Sequence, residues 1–201
     1  METFTLFMMI ALGFYALKSR DQTRRISFLG SHLRQYQVEK LMESLTASYA
    51  RALGEIDAAR QAQIWQLLNT TELQLCGQFD RFVVDFSKVD EAEARVSKLP
   101  FALPYASRLL PRATFDLRQA LAIHAQGIAR AASTDFSGTA KARAFSLFAE
   151  LFLMQHTCHW FCRSKAVASA RLLARHKTSY AQVLAAVAPD TRRAYCALLA
   201  A

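Results

Sequence analysis

The sequence predicts an all-α fold, a bundle of about six or seven helices with an N-terminal transmembrane or membrane-anchoring helix. Three observations point there. Apolar residues recur at steps of three to five along most of the chain, near the helical period. The 201 residues include only 6 Gly and 4 Pro, too few turn residues for an all-β fold. Residues 3–17 carry no charge. Apolar content of 53% against 20% charged excludes a disordered chain, and the length suffices for a full core without metal or disulfide staples.

The uncharged run TFTLFMMIALGFYAL contributes Phe4, Leu6, Phe7, Met8, Met9, Ile10, Leu12, Phe14, Tyr15 and Leu17 as anchor residues. As a helix it spans ~22 Å at ~1.5 Å per residue, short of the ~30 Å hydrocarbon core, a gap that snorkelling flanks and local thinning can close. Only Glu2 and the amino terminus precede it, whereas Lys18, Arg20, Arg24 and Arg25 follow. That asymmetry places the body in the cytoplasm under the positive-inside rule. A cleavable signal fits poorly, because the positive charge follows the run instead of preceding it. A core or partner-docking helix is the other reading of so short a run. An interfacial helix would show a charged face, and none is present.

From Arg24 to about Leu53 the stripe Ile26, Leu29, Leu33, Tyr36, Leu41, Leu45, Tyr49, Leu53 predicts one long amphipathic helix, stopped by Gly54. A second, about Asp57 to Phe86, carries Ile64, Leu67, Leu68, Leu75, Phe79, Phe82, Val83 and Phe86, and the short link makes the pair a hairpin candidate. Asp90–Leu99 reads as a brief helix, acids first and base last, as the helix dipole favours. The stretch PFALPYASRLLP, from Pro100 to Pro111, is the clearest loop; its apolar content predicts packing against the body. Thr114 reads as an N-cap for a helix to about Ala132. Residues 133–139 read as a turn cluster, and a long helix should follow from Ala140 to His176. A short helix near Ser179 and a last one opening at Pro189 complete the set. No alternating run is long enough to indicate a sheet.

The chain thus divides into residues 1–23, an anchor with a basic juxtamembrane segment; residues 24–99, the hairpin; and residues 100–201, a basic helical body packed with the hairpin as one domain. Residues 1–94 hold 10 Lys/Arg and 12 Asp/Glu, a net −2. Residues 95–201 hold 15 and 4, a net +11, and together these give the net charge of +9. An anionic partner is the implied counterpart: lipid headgroups, nucleic acid or an acidic protein. Lys18, Arg20, Arg24, Arg25, Arg163, Lys165, Arg171, Arg175 and Lys177 form the candidate surface. The alternative is a solvated face, with charge favourably placed at a helix C-terminus. No groove-reading motif stands out, so nucleic acid is the weaker partner. Arg outnumbers Lys 18 to 7 and Ala occurs 35 times, the bias of a GC-rich bacterial genome.

Residues 144–162, AFSLFAELFLMQHTCHWFC, are the segment richest in chemistry. One carboxylate and two histidines make a second membrane span costly, and a helix apolar all round reads as the centre of a bundle. His124, Glu150, His156, Cys158, His159 and Cys162 are the candidate buried polar or ligand cluster. His156 and Cys158 point about 160° apart on one helix, so the four donors of this helix cannot share an ion. Cys158, His159 and Cys162 could converge, with Cys76, His124 or Cys196 as a fourth ligand, but the paired knuckles of structural zinc sites are missing. No metal and no cofactor is assigned. Haem ligation by His124, His156 or His159 lacks a CxxCH attachment motif. Di-iron Glu-x-x-His pairs are absent, as are GxGxxG, Walker A and GxSxG. A Cys162–His159 nucleophile would need an exposed, electropositive setting. Four reduced cysteines acting as small hydrophobes is the plainer reading, since a cytoplasmic body keeps thiols free.

No catalytic residues are assigned. The expected function is a non-catalytic scaffold, assembly factor or regulatory interaction protein of the bacterial inner membrane, single-pass, with lipid and a protein partner or a second copy as its contacts. The rivals are a metal- or haem-dependent helical redox enzyme built on the His/Cys cluster, and a nucleic-acid binder.

Overall fold

The structure, a computed structural model, describes residues 2–133 and 138–201. Among the described residues it is all-helical apart from one small ladder, and ten α-helices, two of them single turns, replace the six or seven expected. Part of the turn cluster read over 133–139 lies outside the described residues.

Helix α1 (Glu2–Leu33) is continuous through the anchor and the basic segment behind it. It touches the body only in its second half, where Asp21, Gln22 and Leu29 are buried. The single helix expected over Arg24–Leu53 is in fact two, because the chain turns between α1 and α2 (Val38–Gly54). No Gly or Pro marks this break. Tyr36 marks it instead: its hydroxyl donates to Asp85, and its ring sits edge-on to Phe82, 5.7 Å away. Docking that ring on α3 (Ala58–Phe86) draws the chain off the axis of α1. Helix α2 then folds back on α3 across residues 55–57. Asp57 caps α3 by accepting from the backbone N–H of Ala59 (2.8 Å) and Arg60 (3.1 Å). The buried stripe Leu68, Leu75, Phe79, Phe82 and Phe86 of α3 forms one wall of the core. Each such side chain contributes about 1.5–3 kcal/mol on leaving water.

The helix expected over Asp90–Leu99 is cut to one turn, α4 (Glu91–Ala94). The chain then extends into β1 (Arg95–Ser97), which pairs antiparallel with β2 (Thr114–Asp116), Val96 opposite Phe115. This ladder corrects the expectation of no sheet. It is held from outside: the Trp160 indole N–H donates to the Ser97 carbonyl (2.8 Å), and Phe115 meets the Trp160 ring edge-on. Within the proline-rich stretch lie one turn of helix, α5 (Ala106–Leu109), and a 3-10 turn at Pro111–Ala113. Ala106 and Ser107 are buried, but Phe101, Leu109 and Leu110 face outward, so the expected apolar packing of this loop is only partial.

Asp116, not Thr114, caps α6 (Leu117–Ala132), accepting from the Arg118 N–H at 2.8 Å. The long helix expected over Ala140–His176 is two, α7 (Ala140–Cys162) and α8 (Lys165–His176). Ser164 begins the second by accepting from the Val167 N–H. Short α9 (Tyr180–Ala186) opens with a Ser179/Gln182 capping box, and α10 (Pro189–Ala200) has Pro in its first turn, both where the sequence placed them. Helix α7 is the centre: α1, α2, α6, α8 and α9 all pack on it. Among the described residues, no helix is long and apolar enough to cross a membrane.

Candidate functional site

Buried helix α7 carries its polar side chains outward to different neighbours, and three separate nodes result. In the first, His124 of α6, Thr157 of α7 and Tyr195 of α10 are fully buried. The Thr157 hydroxyl lies 2.9 Å from His124 Nε2 and 2.8 Å from the Tyr195 hydroxyl, and it also reaches the Leu153 carbonyl. Loss of solvation drives the His124 pKa down to about 3, with His156 adding a little, so the ring is neutral. The Tyr195 phenol is pushed up, chiefly by burial, and stays protonated.

The second node binds α10 to α7. One oxygen of Glu150 accepts from the Ala188 N–H (3.0 Å) at the amino-terminal end of α10. The other lies against Gly127, where an added Cβ would stand 2.3 Å from it and 2.6 Å from Thr191 Oγ1. Arg130 completes the group through Thr191 (3.1 Å). Burial raises the Glu150 pKa, against the lowering effects of the Ala188 N–H, Thr191 and Arg130. Gly127 leaves the space that this carboxylate fills.

The third node clamps α2, α3 and α7. Glu72, 1% exposed, accepts from the Tyr49 hydroxyl and pairs with Arg143 at 3.3 Å. Burial, then the Glu72 bond, raises the Tyr49 pKa.

The remaining members of the predicted cluster go elsewhere. His156 reaches Ser169 of α8 (3.0 Å) and stacks on Tyr180; burial first, then Lys165, lowers its pKa to about 4. Cys158 points along its own helix to Met154, and burial pushes its thiol far up. Burial pushes Cys162 to about 11 against the pull of Arg25, Arg163 and Arg171. His159 lies in a groove between α7 and α8. The six residues therefore do not meet at a point. Among the described residues, no three of His, Cys, Asp and Glu come together as a metal site.

The candidate cationic surface divides. Arg24 pairs with Glu93. Arg25 is half-buried, pairs with Asp21 (3.4 Å), donates to Ser107 and lies 5.1 Å from the Phe161 ring centre. Arg163 donates to Gln22 (2.6 Å), fastening α7 to α1. Lys165 sits over the rings of Trp160 and Tyr180. The side chains of Lys18, Arg20, Arg171, Arg175 and Lys177 form no hydrogen bond or ion pair among the described residues. Lys18 and Arg20 stand at the root of the α1 arm, and the other three on α8 and just beyond.

The arm is the most unusual surface. Every residue from 2 to 17 is exposed, and its ten large apolar side chains are 43–72% accessible. Sequence reasoning missed Tyr195, Glu72 and Gly127. Only the lone Gly within the α6 pattern carried a signal, that of close approach. No protein-family model matches the chain, and neither a curated protein nor a solved structure matches it.

Proposed function

We propose that this protein is a membrane-attached helical module of the bacterial inner membrane, whose body works as a scaffold, assembly factor or regulatory partner at the lipid surface. The observation that carries the reading is the arm: ten large apolar side chains on one helix, uncovered by anything among the described residues. A soluble surface rarely leaves so much contiguous apolar area in water. Burying it in lipid removes that cost, at about 0.8 kcal/mol per CH2. The uncharged run, ~22 Å as a helix, reaches into a ~30 Å hydrocarbon core without matching it. Lys18 and Arg20 then lie at headgroup level, and the body falls on the cytoplasmic side by the positive-inside rule. A non-catalytic role is supported by the separation of the buried polar groups, each of which ties helices together.

Flotation tests this. The full chain is mixed with vesicles of phosphatidylethanolamine and phosphatidylglycerol and centrifuged through a density gradient. The full chain should float, and a chain lacking residues 2–17 should stay at the bottom with an unchanged helical spectrum. Equal behaviour of the two would overturn the reading.

A further inference from the structure

The groove between α7 and α8, about 420 Å³, carries the donor-bearing side chains of Gln155, His156, His159, Arg171 and Arg175 beside the apolar Leu172 and Ala174. Arg171 and Arg175 sit one turn apart on α8, exposed, and neither guanidinium makes an ion pair or a hydrogen bond among the described residues. Opposite them on α7 are His159 and Gln155. His176 Nε2 lies 3.0 Å from Gln155 Oε1. An amide oxygen only accepts, so the imidazole donates there and the Gln155 amide nitrogen keeps its N–H groups for a ligand. His156, 1% exposed, forms part of the wall, with no hydrogen-bond partner for Nδ1. No carboxylate lines the groove. The carboxylates of the basic half are spent elsewhere: Asp116 on Arg118, Asp190 on Arg193, Glu150 at the start of α10. Asp135 lies outside the described residues.

We propose that this groove binds a phosphate group, held by the Arg171 and Arg175 guanidinium groups with Gln155 and His159 as further donors. Two arginines on successive turns match the several acceptor oxygens of phosphate through charge-assisted bonds. A solvated helix face accounts for Arg175, which suits the C-terminal end of α8, but not for the absence of any acid from a groove that also holds two histidines. The ligand is a free phosphate monoester or the phosphate of a lipid headgroup; the first needs no contribution from the arm, so this inference stands apart from membrane attachment.

His159 supplies the readout. Burial, then Arg171, Arg175 and His176, lower its pKa in the unliganded protein. A bound phosphate cancels the arginine charges and should raise it by about one unit. The full chain in uncharged detergent is labelled at its histidine rings, His159 is assigned through His159→Gln, and inorganic phosphate is titrated at constant ionic strength against chloride. A phosphate-specific rise, weakened about tenfold or more in affinity by Arg171→Ala with Arg175→Ala, establishes a free-phosphate site. A rise absent with inorganic phosphate but present on vesicles containing phosphatidic acid, and not on phosphatidylcholine vesicles, assigns the site to a lipid headgroup, provided the double variant abolishes it. Both substituted positions are exposed, so folding is not at stake. No rise with either probe, or a rise that survives the double substitution, overturns the proposal.

Discussion

The arm of α1 and the surroundings of α7 are inverted with respect to each other. In the arm, Phe4, Phe7, Met9 and Tyr15 are each more than two-thirds exposed, with nothing polar between them and solvent. Around α7, Glu72, His124, Glu150 and His156 are each at most 1% exposed, inside an apolar core. Each of these groups has at least one partner within the chain, through Tyr49 and Arg143, Thr157, Ala188 or Ser169, while Nδ1 of His124 and His156 and one oxygen of Glu150 have none among the described residues. The body thus ties its buried polar groups to one another, whereas nothing among the described residues covers the arm. Substitutions should act oppositely in the two regions: on stability alone in the body, on location alone in the arm.

Among substitutions, the largest effect expected is from Arg143→Ala. It strands the Glu72 carboxylate in the core and should cost about 3 kcal/mol in urea unfolding, while flotation is retained. Gly127→Ala comes next. Its Cβ would meet Glu150 and Thr191 at 2.3 and 2.6 Å, and Glu150 is held at Ala188, so a loss of about 2 kcal/mol is expected in the same assay.

Acid should loosen the body through His124 and His156. Their folded-state pKa values, about 3 and about 4, lie below the ordinary 6.5, so below pH 6.5 the unfolded chain binds protons that the fold refuses. Stability from these two rings is present above pH 6.5 and lost as pH falls toward 4. The slope should be about 1.4 kcal/mol per pH unit for each ring across the middle of that window. Glu150 works the other way: its raised pKa costs stability as pH rises past its unfolded value near 4.5, where the unfolded chain releases the proton first. Thr157→Val should sharpen the contrast, losing about 1–2 kcal/mol by leaving His124 and Tyr195 without their shared hydroxyl. Smallest is Ile10→Asp in the arm: under 0.5 kcal/mol on unfolding of the body, yet weaker flotation by tenfold or more.

Several elements were legible because their signals are local. Pro189 and Ser179 mark helix starts, Gly54 and Asp57 bracket the α2–α3 turn, and the stripe of α3 repeats over about six turns. The errors share another cause. The turn after Leu33 depends on Tyr36 meeting Asp85 and Phe82, some fifty positions away. The ladder joins three residues to three across the proline-rich stretch, too short to show alternation. The break after Cys162 lies at Ser164, a cap signal hidden in a helix-favouring run. At the candidate site, His124, Glu150 and His156 stood out as polar residues within apolar segments. Their partners are hydroxyls and a backbone N–H that carry no signature in the sequence. The groove between α7 and α8 could not be seen while the two were read as one helix, since only the break at Ser164 lets α8 turn back beside Gln155 and His159.

Amide hydrogen exchange of residues 4–17 tests the central claim most directly, with and without vesicles. In detergent-free buffer at low protein concentration the arm should exchange within seconds to minutes, while the α7 core holds for hours or longer. Adding vesicles should slow the arm by a hundredfold or more and leave α7 unchanged. An arm that exchanges equally fast with lipid present, or is already protected without lipid in a concentration-dependent way, contradicts the account; in the second case another copy of the chain covers the arm.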